Sequence, residues 1–370
     1  MVDVLNTVNF ETSTKAITQR IASIDPINYA YTRNYIDGKV TYLSPYISRG
    51  VISTKQVLES VLDRNYAPKQ IEKFIQELAW RDYWQQIWIS KGNAIDSDLK
   101  QPQTNVQNQG IPQSIVLGKT GIVAIDGAIH DFYNTGYMHN HVRMYIASIC
   151  TNIAHCHWRE SAQWMYAHLF DGDWASNALS WQWVAGTNSS KKYYANQNNI
   201  NKFCYSRQQH TFLDASYETL TEMPIPESLK TVIPFELKTL LPQSKHLVVN
   251  SKLPTLIYNA YNLDPDWKKG IKANRILLLE PSHFKKYPVS DSVLAFILGL
   301  SNEIQELQIW VGEFQNLIDA YKIDRPYFKE HPTNTHYKGM QESRDWMFSV
   351  KGYYPSFFSF WKKCKKELRW

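Results

Sequence analysis

The stretch from Gly118 to Gly186 constrains the fold most, because it spells consecutive helices with their stops already in place. It opens on Gly118-Lys119-Thr120-Gly121, a turn whose glycines tolerate backbone angles that other residues resist. Ile125, Ile129, Phe132 and Tyr133 then recur at i, i+4, i+7 and i+8, and Asn134-Thr135-Gly136 supplies a C-terminal stop. The spacing of Val142, Ile146, Ile149 and Ile153 predicts a second helix from about Met138 to Asn152. Asn140, Arg143 and Ala147 fall on another face of it, a polar pair beside a small residue that suits a flat ligand. A third helical run carries Ala162, Tyr166 and Leu169. It ends in Asp171-Gly172-Asp173-Trp174-Ala175-Ser176-Asn177, followed by Trp181-Gln182-Trp183-Val184-Ala185-Gly186.

Composition narrows the class. The 370 residues are 44% hydrophobic and 20% charged, which describes a globular chain long enough for two or three domains. Neither a membrane-length apolar run nor the blocks of a signal peptide are found. The four cysteines form no CxxC pair, so the reading is a reducing, cytoplasmic protein without a disulfide framework or metal ribbon. A net charge of +6 is compatible with nucleic acid but does not argue for it alone. The 13 Trp and 23 Tyr fit a core, a redox protein or a base-stacking surface.

Upstream, Thr41-Tyr42-Leu43-Ser44-Pro45 reads from its residues alone as an N-cap at Ser44 with proline at the first helical position. A long helix from Pro68 to Ser90 places Trp80, Trp84 and Trp88 in a stripe and Glu77 one turn from Arg81, an intrahelical ion pair on the simplest reading. Downstream, the prolines between Pro224 and Pro242 mark a change of architecture. Thr255-Leu-Ile-Tyr, Arg275-Ile-Leu-Leu-Leu and Leu307-Gln-Ile-Trp-Val then read as short buried strands between helical runs, which predicts a parallel α/β sheet. The tail from Phe357 to Lys366 reads as a packed terminal helix with a solvated basic face. A calcium loop starting at Asp171 fails, since Ala175, Ser176 and Gln182 stand where a ligand, glycine and glutamate belong. The five histidines from His139 to His168 form no HExxH, so no metal site is expected.

GKTG, GYMHNHVRM, HWRE, DGDWASN and SWQWVAGT, in this order and spacing, resemble the FAD-binding domain of the cryptochrome/photolyase flavoproteins. The resemblance extends back through Leu43-Ser44-Pro45 and ELAWR at Glu77–Arg81. It implies an all-helical FAD-binding domain over about residues 1–240, with the small α/β domain at 246–370 following it. Family members ordinarily carry an α/β domain before the FAD domain, so this order looks short or permuted.

The resemblance also implies roles. Tyr29, Thr41, Leu43, Ser44, Arg81, Asn140, Arg143, Asp171, Asp173 and Asn177 would hold FAD, with Asn177 facing flavin N5. Glu77, Trp80, Asn140, His141, Met144 and Trp183 would meet the substrate, and Trp181 and Trp158 would pass electrons to the flavin. The third tryptophan usual in that route is replaced by Asn105. Asn177 favours a photolyase over a cryptochrome. Asn140 and Met144, where relatives acting on six-four photoproducts have histidines, favour cyclobutane pyrimidine dimers. Tyr42 and His141 stand where arginines are usual, so weaker phosphate contact and a preference for damaged single-stranded DNA are expected. A blue-light receptor without repair activity is the rival reading. A second antenna chromophore and the oligomeric state are left open.

Overall fold

The computed structural model describes residues 8–368; the first seven and last two residues of the expected domain ranges lie outside them. The chain forms two compact units. One comprises Ile27–Val40, Lys91–Glu236 and the described residues up to Phe10; the other comprises Glu11–Pro26, Thr41–Ser90 and the described residues from Leu237. The division is therefore not 1–240 against 246–370. Two N-terminal segments join the sheet-bearing part because their long-range contacts lie there.

The described residues of the first unit are mainly helical, with a two-residue antiparallel pairing of Ile111–Pro112 with Val232–Ile233 and an isolated bridge between Asn108 and Cys156. Its helices Val123–Thr135, Asn140–Ser148, Trp158–His168 and Trp174–Ala185 follow the expected order. Gly118 and Gly121 adopt φ of 60° and 85°, and Asp126 ties the turn by accepting from the amides of Thr120 and Gly121. Gly136 ends the first helix at φ 65° with its amide bonded to Phe132 O. The second helix runs on through a π turn at Ile149–Ile153 that buries every residue in it.

In the second unit five strands form one parallel sheet, in the order Leu307–Val311, Asn274–Leu279, Thr255–Tyr258, Pro326–Lys329, Met340–Glu342. Thr255–Tyr258 and Asn274–Leu279 are buried throughout, as strands covered on both faces must be. Ile257, Ile276, Leu278, Phe314, Leu317 and Phe328 pack as one apolar cluster. The last two strands were not legible in sequence: Pro326 opens one and the other is the polar Met-Gln-Glu.

The Pro68–Lys91 helix belongs to this unit through the chain's C-terminal segment. Gln85 accepts from Arg344 at 2.6 Å, Asp82 from Met347 N at 3.1 Å and Gln86 from Gly352 N at 2.8 Å. Tyr83 donates to Tyr354 O at 3.1 Å, and Lys365 pairs with Glu72 at 2.7 Å. Those buried polar groups are satisfied by a segment some 260 residues away in sequence, with a separation of 266 for Gln86 and Gly352.

Burial pushes the Asp82 carboxyl up to about 6, although Met347 N and Thr54 donate to it and Arg344 and Arg81 lie near. Because its folded value lies above the unfolded one, its favourable contribution is present below about pH 4 and is lost as pH rises through 6. The stability of Asp82→Asn relative to wild type should therefore climb between pH 4 and 6, by on the order of 3 kcal/mol, and then level off. Urea titrations across that range test this; a pH-independent difference would show that Asp82 does not titrate with folding.

Candidate flavin site

The helical unit brings Arg143 and Asp171 together across 28 positions. Arg143 lies one turn into its helix, so its guanidinium reaches back to donate through Nε to Met138 O at 2.8 Å. Its Nη2 lies 3.1 Å from both Asp171 oxygens, and the carboxylate is nearly buried. A charge-assisted contact of this kind is roughly twice as strong as a neutral one. The guanidinium expected to hold FAD is thus already neutralised by Asp171.

Asp173 caps the next helix, accepting from Ser176 N at 2.7 Å with the extended backbone usual at that position. One turn later Asn177 is buried and its Nδ2 donates to Ala162 O at 2.7 Å. That bond orients the amide and leaves Oδ1 as its accepting group. Beside it the Ser176 hydroxyl is buried with no protein partner. The helices bearing Arg143, Ala162 and Asn177 pack against one another. An oriented amide, an orphaned hydroxyl and a neutralised guanidinium suit a large polar heterocycle such as FAD.

The other candidates of this unit are more open. Tyr29 is half-buried on the Pro26–Thr32 helix. Asn140 is exposed, and Met144 is half-buried one turn along the same helix. The His141 ring lies 4.6 Å from Phe203 and 5.2 Å from Tyr145, and burial followed by the Arg33 charge lowers its pKa. Trp183 is 38% exposed beside Tyr193, 6.0 Å away.

Trp181 and Trp158 are both buried. Trp158 donates its indole N–H to Asp98 at 2.8 Å, and Trp174 donates to Asp96 at 2.7 Å. The Trp158 and Trp174 rings lie 6.5 Å apart, and Tyr166 meets Trp174 edge-on at 5.7 Å. Trp174 sits inside DGDWASN, where an aromatic among small and acidic residues is its one signal in the sequence.

The sheet-bearing unit holds the remaining candidates. Leu43, not Ser44, occupies the cap position of the short Ser44–Ser48 helix, and Tyr42 before it takes a left-handed φ of 52°. The expected Ser44 cap is absent because this twist turns the chain into the helix one residue early. Thr41 Oγ1 accepts from Leu43 N at 3.4 Å. Arg20 approaches the Tyr42 ring to 5.9 Å, placing a guanidinium where the turn lacks its own arginine. Arg81 donates to Ser48 Oγ at 2.6 Å, and Glu77 pairs with Lys73 at 2.7 Å, so the simple Glu77–Arg81 pairing gives way to two other partnerships. Trp80 is half-buried and stacks on Phe357 at 3.9 Å and 10°.

Among the described residues no group of three or more His, Cys, Asp or Glu could hold a metal ion, and no helix is long and apolar enough to cross a membrane. Cys150, Cys156 and Cys364 are buried thiols, and Cys204 is a half-buried one.

Comparison with known proteins bears on these residues. Residues 74–220 match the FAD binding domain of DNA photolyase. A deoxyribodipyrimidine photo-lyase of Streptomyces griseus is 32% identical over 151 residues, 40% of this chain and 33% of its own length. A cryptochrome DASH of Ostreococcus tauri is 30% identical over 190 residues, 49% of this chain and 33% of its own. The matched part thus spans about a third of these relatives. The crystal structure of a Synechocystis cryptochrome superposes with a TM-score of 0.50 at 22% identity, covering 60% of this chain and 49% of the other, a likeness of fold. Residues 74–220, with the ordered motifs inside them, are thus similar to the FAD-binding domain of DNA photolyase.

Proposed function

We propose that this protein binds FAD and uses blue light to split cyclobutane pyrimidine dimers in DNA. The observation that carries the reading is the Asn177 amide, held by Ala162 O so that a carbonyl oxygen is its open group. Such an oxygen accepts from a flavin N5–H, which a reduced ring has and an oxidised ring lacks. When bound, reduced FAD would supply on excitation the electron that opens the dimer and would take it back once the two pyrimidines separate, with no net redox change. The chain's own work is to hold, orient and shield.

In the helical unit Arg143 and Asp171 form a neutral pair for the ring's polar edge, and Asp173 fixes the helix that carries Asn177. Asn140, His141, Met144 and Trp183 would meet the lesion with one directional amide and a largely apolar surface. Trp181 and Trp158 would deliver electrons, with Trp174 extending the route where Asn105 replaces the usual third tryptophan. In the sheet-bearing unit Thr41, Leu43, Ser44 and Arg81 would take the pyrophosphate. Glu77 offers a carboxyl to the dimer's N–H groups, and Trp80 offers a stacking face.

Single-stranded substrate is favoured. Tyr42 brings no charge, and burial with the nearby Arg33 holds the His141 imidazole below its ordinary pKa, hence neutral at physiological pH. Phosphate attraction is then modest, and a single strand needs no unpairing energy.

The test is cleavage of a dimer-containing oligonucleotide under blue light with fully reduced FAD, in single- and double-stranded form. Wild type should cleave both, the single strand faster. Glu77→Ala should keep the flavin spectrum and lose cleavage by tenfold or more, the scale of one charge-assisted hydrogen bond at about 1.5–3 kcal/mol. The likeness to cryptochromes supplies the rival, a photoreceptor. A flavin-loaded protein that changes its spectrum in light yet cleaves neither substrate would transfer the assignment to it.

A further inference from the structure

The terminal helix Phe357–Cys364 has two unlike sides. Phe357, Phe360, Trp361 and Cys364 are buried. Phe358 is 68% exposed, and Lys362, one turn further on, is exposed with it. Lys363 and Lys366 are also exposed, and none of these three lysines joins an ion pair among the described residues, whereas Lys365 is taken by Glu72. Phe358 and Lys362 thus present an open ring and a cation one turn apart on the same helix.

The inner side leads elsewhere. Phe357 lies parallel to Trp80 at 3.9 Å, and its ring is 5.6 Å from that of Phe358. Trp84 meets the other end of the row, 5.0 Å from Trp80. The rings Trp84, Trp80, Phe357 and Phe358 thus run from the long helix to solvent on the terminal one. Phe357 is buried while Trp80 keeps part of its surface in water, so Phe357 backs the tryptophan.

We propose that the terminal helix is a single-strand-binding surface: Phe358 stacks a base flanking the lesion, Lys362 meets its phosphate, and Phe357 steadies Trp80. An accessible aromatic face beside a cation, here Phe358 with Lys362 and the open part of Trp80 on the neighbouring helix, is the chemistry that holds single-stranded nucleic acid without reading its sequence, because every base has a stacking face and every nucleotide a charge. An acidic protein partner would use the lysines but leave the open Phe358 ring unmatched. The inference rests on the reading of Trp80 as a wall for the substrate.

The experiment measures binding of two fluorescent single-stranded oligothymidylates, one undamaged and one with a central cyclobutane dimer, by anisotropy across a salt series. The full flavin-loaded chain is used, as wild type, Phe358→Ala, Lys362→Ala and Trp80→Ala. Phe358→Ala should weaken both oligonucleotides about tenfold with the salt slope unchanged. Lys362→Ala should lower the slope of log affinity against log salt by about 0.7, the value for one phosphate contact on a single strand. Both side chains are exposed, so thermal melting and flavin absorbance should match wild type. If Phe358→Ala and Lys362→Ala bind like wild type while Trp80→Ala loses the damaged strand, the helix is no part of the surface and the repair reading stands. If wild type binds neither oligonucleotide, the repair reading fails and this inference with it.

Discussion

Arg143→Ala should lose both flavin and stability, about 3–5 kcal/mol of the latter. The substitution leaves the Asp171 carboxylate nearly buried without its counter-charge, and strips Met138 O of its donor. A buried charge deprived of its partner is among the few single changes that reach this size. Arg143→Lys should recover only part of the loss, since one ammonium cannot serve Met138 O and both Asp171 oxygens as the planar fork does. Asp171→Asn removes the carboxylate charge and should cost less than Arg143→Ala. Denaturant titration of the apoprotein gives the stability, and visible absorbance after gel filtration gives the flavin content. An Arg143→Ala protein with wild-type midpoint and full flavin content would show that the pair is incidental.

Gly136→Ala should cost about 3 kcal/mol through a different mechanism. The glycine ends its helix at φ 65°, where an alanine costs roughly 1 kcal/mol. Its added Cβ would lie 2.2 Å from the Phe170 ring, and overpacking of this kind costs a further 1–3 kcal/mol. Phe170 cannot retreat freely, because its amide bonds to Gly136 O at 2.8 Å and its ring packs edge-on against Phe10 at 5.9 Å. A thermal melt reads the loss, and Gly121→Ala is the informative comparison. That residue has φ 85° but nothing near its would-be Cβ, so it should show the backbone cost alone. Equal losses at the two glycines would mean that the Phe170 clash relaxes without cost.

Much of the helical unit could be read directly. The run Ile125, Ile129, Phe132 becomes a helix with that face buried, and Gly136 stops it where expected. The terminal tail is the helix its apolar-then-basic pattern implies. Three of the five strands were legible because they are short runs rich in apolar and β-forming residues; Pro326–Lys329 and Met340–Glu342 were not, lacking that signal.

The side-chain partnerships were less accessible. Glu77 and Arg81 have the right spacing to pair, but at a surface such a pair is worth only about 0.3–0.5 kcal/mol. Lys73 and Ser48 therefore take them instead. Ser44 has the right identity for a cap, yet Tyr42's left-handed backbone moves the cap to Leu43.

Helix positions, glycine stops, the central strands and the ordered motifs are written in the residues themselves, because these depend on periodicity and neighbours a few residues apart. The tertiary structure decided that Arg143 meets Asp171, that Ala162 aims Asn177, that Trp174 stands beside Trp158 and that Phe357 covers a face of Trp80. It also decided that residues 41–90 fold with the sheet and not with the helices after them. Each of these choices satisfies a buried polar group or closes a void using residues far apart in the chain, and only the packed whole specifies which residues those are.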